Sequence, residues 1–174
     1  MPVRSAGILL YRLGTTPGAA AGQQPASASD VPGALQVWIA HMGGPFWARK
    51  DAHAWSIPKG EYTEDEDPLA AALREFAEEM GTPAPAADYE HLGEFRQPSG
   101  KIITVYAADQ DFQPERIASN TFPLEWPKGS GRIQEYPEID DARWFPLPEA
   151  RLKLVKGQIP VLDALAEHVR AKSW

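Results

Sequence analysis

The sequence predicts an α+β fold in which helices cover a mixed β-sheet. Three observations support this prediction: several short apolar runs with strand-like alternation, a central amphipathic helix, and a second helix near the C-terminus. The 174 residues fit one compact domain and leave little room for another. We therefore expect a single domain over residues 1–174.

The first two predicted strands, residues 3–13 and 35–42, are apolar and partly β-branched and are expected to pair. The segment between them, 14–33, consists almost wholly of Gly, Ala, Pro, Ser, Thr and Gln, which bury little apolar surface. We expect a flexible loop there, with a substrate lid as the alternative. The remaining predicted elements are a short strand at 54–57, a hairpin of 92–97 and 101–108, further sheet at 142–145, and a helix from about 159 to 172.

Composition excludes several classes of protein. The absence of Cys rules out disulfide scaffolds and thiolate metal sites, and no apolar run approaches the roughly 20 residues that span a bilayer. A net charge of −7 argues against binding a nucleic acid polymer. We expect a cytoplasmic protein that does not bind membranes. A small phosphorylated substrate stays possible if metal ions bridge it to an acidic site. The oligomeric state stays open.

A central helix is predicted from Asp67 and Pro68 to about Met80, with Gly81 as its stop. One apolar stripe of this helix is expected to face the core. It contains Leu69, Leu73, Phe76 and Met80, with Ala72 and Ala77 at its edges.

The same helix carries three glutamates on an adjacent arc, Glu75, Glu78 and Glu79. Like charges at this spacing destabilise a helix by a few tenths of a kcal/mol per pair, so a cation should offset them. Mg²⁺ or Mn²⁺ prefers such oxygen ligands. The alternative is a solvated acidic face in which Arg74 pairs with Glu78.

The spacing of these residues resembles the box of the Nudix hydrolase family, which covers about an eighth of the chain. The box is Gly, five residues, Glu, seven residues, then Arg-Glu-apolar-x-Glu-Glu-x-Gly-apolar. The matching residues here are Gly60, Glu66, Arg74, Glu75, Phe76, Glu78, Glu79 and Gly81. The one departure is Thr82, where an aliphatic residue is usual.

The resemblance implies a Nudix α/β/α sandwich with metal-dependent chemistry. The implied metal ligands are the carbonyl of Gly60 and the carboxylates of Glu75, Glu78 and Glu79. Glu66 and Arg74 look like the pair that ties the preceding loop to the helix, with Arg74 orienting carboxylates. The metal ions would bridge phosphate oxygens and activate the attacking water.

A further acid outside the box is expected before a late strand. The family spacing, six residues before the Trp at position 144, selects Glu138 as a metal ligand or general base. Glu135 and Asp140 are close competitors, and an exposed loop acid is the alternative for Glu138.

Substrate contacts are predicted from two segments. Trp55-Ser56-Ile57-Pro58-Lys59-Gly60 resembles the approach to the box in dinucleoside tetraphosphate (Ap4A) hydrolases, and its lysine could meet a phosphate or simply be solvated. The segment 43–51 could place an aromatic ring and two cations at a cleft mouth, from Trp47, Arg49 and Lys50. Trp126 could serve similarly. The four histidines show no metal-ligand spacing and are expected to be structural or exposed.

Together these features predict a pyrophosphohydrolase that cleaves a diphosphate linkage in a nucleotide-type substrate. Dinucleoside polyphosphates rank ahead of nucleoside triphosphates, ADP-ribose and nucleotide sugars. A catalytically silent nucleotide sensor is the rival, although such a domain would be expected to lose box glutamates.

Overall fold

A computed structural model describes residues 3–14 and 35–172 of the chain. The strands are β1 (Arg4–Leu13), β2 (Leu35–Met42), β3 (Trp55–Ser56), β4 (Lys59–Glu61), β5 (Glu90–Arg96), β6 (Ile102–Asp109), β7 (Thr121–Glu125), β8 (Ile133–Pro137) and β9 (Ile139–Pro146). The helices are α1 (Pro68–Met80), α2 (Leu147–Lys153) and α3 (Ile159–Lys172), with a 3₁₀ turn at Lys156–Gln158. Apart from Gly14, the expected loop at 14–33 lies outside the described residues.

Seven strands of the described residues form one sheet, which is mixed as predicted. β1 runs parallel to β6, and the other pairings are antiparallel. The expected pairing of β1 with β2 is confirmed, but it covers only the segment from Tyr11 to Leu13. Beyond it the two strands separate, and the chain from Trp55 to Glu61 fills the gap by pairing first with β2 and then with β1. The segment before α1 therefore lies in the middle of the sheet, between β1 and β2.

Helices cover both faces of the sheet. On one face α1 packs against Ile8, Leu10 and Trp38, while on the other α3 packs against the opposite side chains of the same strands, including Leu9 and Val37. Both clusters are almost fully buried, so the strands of the sheet centre are apolar on both faces.

The start and end of α1 agree with the sequence prediction. The Asp67 carboxylate accepts a hydrogen bond from the Ala70 amide at 3.0 Å, and Gly81 ends the helix with φ 75°. The apolar stripe is rotated slightly from the prediction, because Ala71 is buried while Leu69 and Leu73 are only half-buried.

Other elements differ from the prediction in extent. Strand β4, helix α2 and the separate two-stranded sheet of β7 and β8 were not predicted. The predicted hairpin at 92–108 and the C-terminal helix are confirmed, and the strand at 142–145 belongs to the longer β9. No helix among the described residues is both long and apolar enough to cross a membrane.

Candidate active site

The turn before α1 brings the main chain against the helix glutamates. Gly60 pairs with Ala6 of β1 at the point where β4 passes the helix. A Cβ atom added to Gly60 would lie 2.0 Å from the carboxyl carbon of Glu75, so a larger residue here would force the Glu75 carboxylate to move. The glycine therefore leaves room for the Glu75 carboxylate against the turn.

Glu79 lies where the turn before α1 packs against the helix. Its Oε1 accepts a hydrogen bond from the Lys59 amide at 3.1 Å. Burial raises the pKa of Glu79 to about 8, an effect that Lys59 opposes and that the nearby charges of Glu138 and Glu75 add to. The carboxylate consequently gains stability from any cation that approaches it.

Arg74 contacts acids of the turn before α1 and acids of the helix itself. Its guanidinium contacts the Glu66 carboxylate, donates to Glu75 Oε1 at 3.1 Å, and lies 3.9 Å from Glu78. It also donates to the Glu61 carbonyl at 3.5 Å. The hydrogen bonds that it donates to Glu75 and, with a smaller effect, to Glu66 raise the pKa of Arg74 above its ordinary value. Arg74 therefore faces carboxylates of both the turn and the helix.

The structure places Glu138 near the helix acids. The Asn120 amide donates to the Glu78 carbonyl at 3.0 Å, and the Asn120 carbonyl accepts from the Glu138 amide at 2.9 Å. Burial raises the pKa of Glu138, and the charges of Glu75 and Glu78 raise it further. Glu138 is thus linked to the end of α1 through its main chain and coupled to the box through its charge.

The two competing acids lie elsewhere. Asp140 accepts a hydrogen bond from His41 Nδ1 at 2.6 Å, and Glu135 is exposed on β8 opposite Pro123. Neither contributes to the raised pKa of Glu79. Of the three acids, Glu138 is the one that faces the box.

The donor set fits a hard divalent cation by its chemistry. It offers only oxygen atoms, and the pKa of Glu79 is raised in part by the charges of Glu138 and Glu75. Its members are Gly60, Glu75, Glu78, Glu79 and Glu138. Within residues 3–14 and 35–172, no three His, Asp or Glu side chains are already arranged around a common point suited to a metal. Arg74 donates to Glu75 Oε1 and the Lys59 amide donates to Glu79 Oε1, and each carboxylate has a second oxygen that could coordinate a cation.

The predicted substrate residues of the loop after β2 lie beside an open cleft of about 500 Å³. Arg49 and Lys50 are exposed in its wall, whereas Trp47 is half-buried and packs onto the core without lining the cleft. Trp55 is only 4% exposed, and its indole donates to Asp51 at 3.0 Å. Trp55 nevertheless lines the cleft, and its contact with substrate stays a prediction.

Lys59 lies away from that cleft and beside Glu79. Trp126, 39% exposed, lies after β7, at the tip of the two-stranded sheet. His41 is a structural histidine, as the sequence suggested, since it is buried and its two ring nitrogens lie within hydrogen-bond distance of Asp140 and of the Lys50 carbonyl. The local sequence could not indicate this link, because its partners lie in separate elements.

Comparisons with known proteins agree with this architecture. The family described as NUDIX domain matches residues 33–165. The chain is 30% identical over 129 residues to an RNA pyrophosphohydrolase of Acidiphilium cryptum (strain JF-5), covering 66% of this chain and 71% of the relative.

Solved structures show the same fold. A C. elegans Ap4A hydrolase binary complex is similar with a TM-score of 0.59 at 16% identity, covering 96% of this chain and 98% of that one. The NUDIX domain of Shewanella oneidensis NrtR, in complex with ADP ribose, has a TM-score of 0.57 at 18% identity, with coverage of 97% and 89%. These two likenesses concern the fold alone. The family match over residues 33–165 shows that the chain belongs to the Nudix family, as a hydrolase that acts on phosphoric anhydride bonds.

Proposed function

We propose that the substrate is a dinucleoside polyphosphate, cleaved at an anhydride held against the box glutamates. One observation carries the proposal: two exposed cations, Arg49 and Lys50, line a cleft whose wall also includes Asp140, two residues beyond Glu138. A long anionic chain could contact the box acids through metal ions and these cations directly. A short nucleotide sugar carries fewer phosphate charges and is less suited to contacting the metal ions and these cations at the same time.

In this proposal Gly60, Glu75, Glu78, Glu79 and Glu138 would hold divalent cations, with Mg²⁺ expected ahead of Mn²⁺. When bound, these ions supply charge neutralisation for the phosphates and activation of the attacking water.

The residues of the chain have separate tasks. Glu138, whose pKa is raised by burial and by the helix acids, is the proposed acceptor of the proton from water. Lys59, beside Glu79, would contact the anhydride that breaks. Arg74 would hold Glu75 and Glu66 in place and not touch the substrate.

A second candidate substrate is the 5′-triphosphate end of RNA. It is favoured by the name of the A. cryptum relative, an RNA pyrophosphohydrolase. The net charge of −7 opposes it, because RNA binding draws much of its affinity from neutralised phosphates. We therefore place RNA behind the small dinucleotide.

A substrate panel tests the proposal. Diadenosine tetraphosphate, ADP-ribose, ATP and a triphosphorylated oligoribonucleotide are compared by kcat/KM with Mg²⁺ and with Mn²⁺. We expect diadenosine tetraphosphate to exceed ADP-ribose by about tenfold or more, equivalent to roughly 1.4 kcal/mol. A preference for ADP-ribose or for the oligoribonucleotide would overturn the substrate and leave the Nudix chemistry intact.

A further inference from the structure

The loop after β2 holds a lysine ammonium against two aromatic rings. Lys50 Nζ lies 3.5 Å from the centre of the Phe46 ring and 5.4 Å from that of Trp47. The two rings meet edge to face with centres 4.9 Å apart, and Trp47 packs on the core beneath. A lysine head group is normally mobile, so this contact restricts the ammonium before any ligand arrives.

The main chain of Lys50 is fixed as well. Its amide donates to the Trp47 carbonyl at 2.9 Å, and its carbonyl accepts from His41 Nε2 at 2.6 Å. His41 Nδ1 donates to Asp140, which follows Glu138 by two residues. Because His41 is buried, these hydrogen bonds tie the main chain of Lys50 to the side chain of Asp140.

The charge of Lys50 has no acidic partner within the described part of the protein. Three carboxylates line the same cleft, and each already has a partner. Asp51 contacts Lys153 and Trp55, Asp140 contacts His41, and Asp141 contacts Arg143. Within residues 3–14 and 35–172, no acid lies within ion-pair distance of Lys50 or of Arg49. A positioned cation without an acidic partner is suited to an anionic ligand.

We propose that Lys50 binds a phosphate beyond the anhydride that is cleaved, and that Phe46 and Trp47 act by positioning its ammonium. The inference rests on the proposed function and deepens it. The face of Phe46 that the ammonium covers cannot also stack on a base, so Phe46 is a positioning residue. Lys59, beside Glu79, contacts the anhydride that is cleaved. Lys50 contacts a phosphate that only longer polyphosphates have, so it favours longer substrates.

Kinetics on substrates of different phosphate number test this assignment. Lys50→Met, Phe46→Leu and the double variant are compared on diadenosine triphosphate and diadenosine pentaphosphate. Lys156→Met, an exposed lysine outside the cleft, controls for the loss of one charge. We expect Lys50→Met to lower kcat/KM about tenfold on the pentaphosphate and several times less on the triphosphate.

The double variant separates positioning from stacking. If Phe46 acts through Lys50, Phe46→Leu lowers kcat/KM on the pentaphosphate about threefold in the presence of Lys50 and causes no further loss in the Lys50→Met background. If Phe46 stacks on a base, its loss is the same in both backgrounds and on both substrates, and the positioning role is overturned.

Inorganic polyphosphates keep this test independent of the substrate assignment. The inhibition constant of tripolyphosphate should rise about fivefold or more in Lys50→Met, with a smaller rise for pyrophosphate, whichever nucleotide is hydrolysed best. An unchanged constant for tripolyphosphate, or a change no larger than that in Lys156→Met, would overturn the role of Lys50. A preference for ADP-ribose would overturn only the proposed substrate.

Discussion

The ionisation of Glu79 makes the stability of the metal-free protein depend on pH. In the unfolded chain this carboxyl ionises near 4.5, whereas burial raises its pKa in the folded protein to about 8. Between these values the unfolded state releases the proton and the folded state keeps it. The free energy of unfolding should therefore fall as pH rises through this window.

Replacing Glu79 with Gln tests this dependence. In metal-free buffer, the Tm of the wild type should fall between about pH 5 and about pH 8 by roughly 10 °C more than the Tm of Glu79→Gln. Added Mg²⁺ should raise the Tm of the wild type more than that of the variant. Parallel pH curves for the two proteins would show that Glu79 ionises normally.

Arg74 gives a second prediction for a single residue. Its planar guanidinium reaches Glu66 and Glu75 together, which the single ammonium of Lys cannot do. We expect Arg74→Lys to lower kcat by about 10–100-fold with the fold intact. Arg170→Lys, at an exposed pair with Glu167, is the matched control. Near-normal kcat in Arg74→Lys would remove Arg74 from the site.

At the scale of elements, a buried amide joins the start of α3 to the segment before the box. Gln158 Oε1 accepts from the Ile57 amide at 2.8 Å, and its Nε2 donates to Ser56 Oγ at 3.0 Å. Ile57 lies between β3, which pairs with β2, and β4, which pairs with β1, so its amide has no strand partner. Gln158 supplies the missing acceptor.

Removal of this amide should destabilise the fold. Gln158→Leu leaves the Ile57 amide without an acceptor and should cost about 1–3 kcal/mol of unfolding free energy. Urea denaturation measures the loss, and Gln113→Leu, an exposed side chain, is the control. A cost below about 0.5 kcal/mol would mean that the Ile57 amide finds another acceptor.

Sequence patterns predicted the elements whose determinants are local. The bounds of α1 follow from its Asp67 cap and Gly81 stop, and those of α3 from apolar spacing. The sheet of β7 and β8 was not predicted. Pro123 interrupts β7, and the partner strand β8 carries the polar and charged side chains of Gln134 and Glu135.

The sequence likewise predicted the local part of the site and not its contacts between distant residues. The box acids occupy one helix, so their proximity to one another follows from helical spacing. The contact of Lys50 with Phe46 depends on side-chain direction in an irregular loop, and the link from Gln158 to Ile57 joins residues 101 positions apart. Neither has a signal in the nearby sequence.

For the whole molecule, the segment between β1 and β2 is predicted to be dispensable. Leu13 pairs with Leu35, so the ends of the two strands are adjacent and a short turn could join them. Replacing residues 16–33 with such a turn should change the unfolding free energy by about 1 kcal/mol or less, because closure entropy varies slowly with loop length. Activity should persist. A normal Tm with a KM raised tenfold or more would identify the segment as a substrate lid.

The box glutamates of this chain should support metal-dependent hydrolysis of a phosphoric anhydride. The turnover of diadenosine tetraphosphate by wild type and Glu79→Gln, measured across a titration of Mg²⁺, shows whether they do. We predict that turnover requires Mg²⁺ and falls in the folded variant by about a thousandfold, equivalent to roughly 4 kcal/mol of transition-state stabilisation. A folded Glu79→Gln protein that keeps more than about a tenth of wild-type turnover would contradict this role of the glutamates.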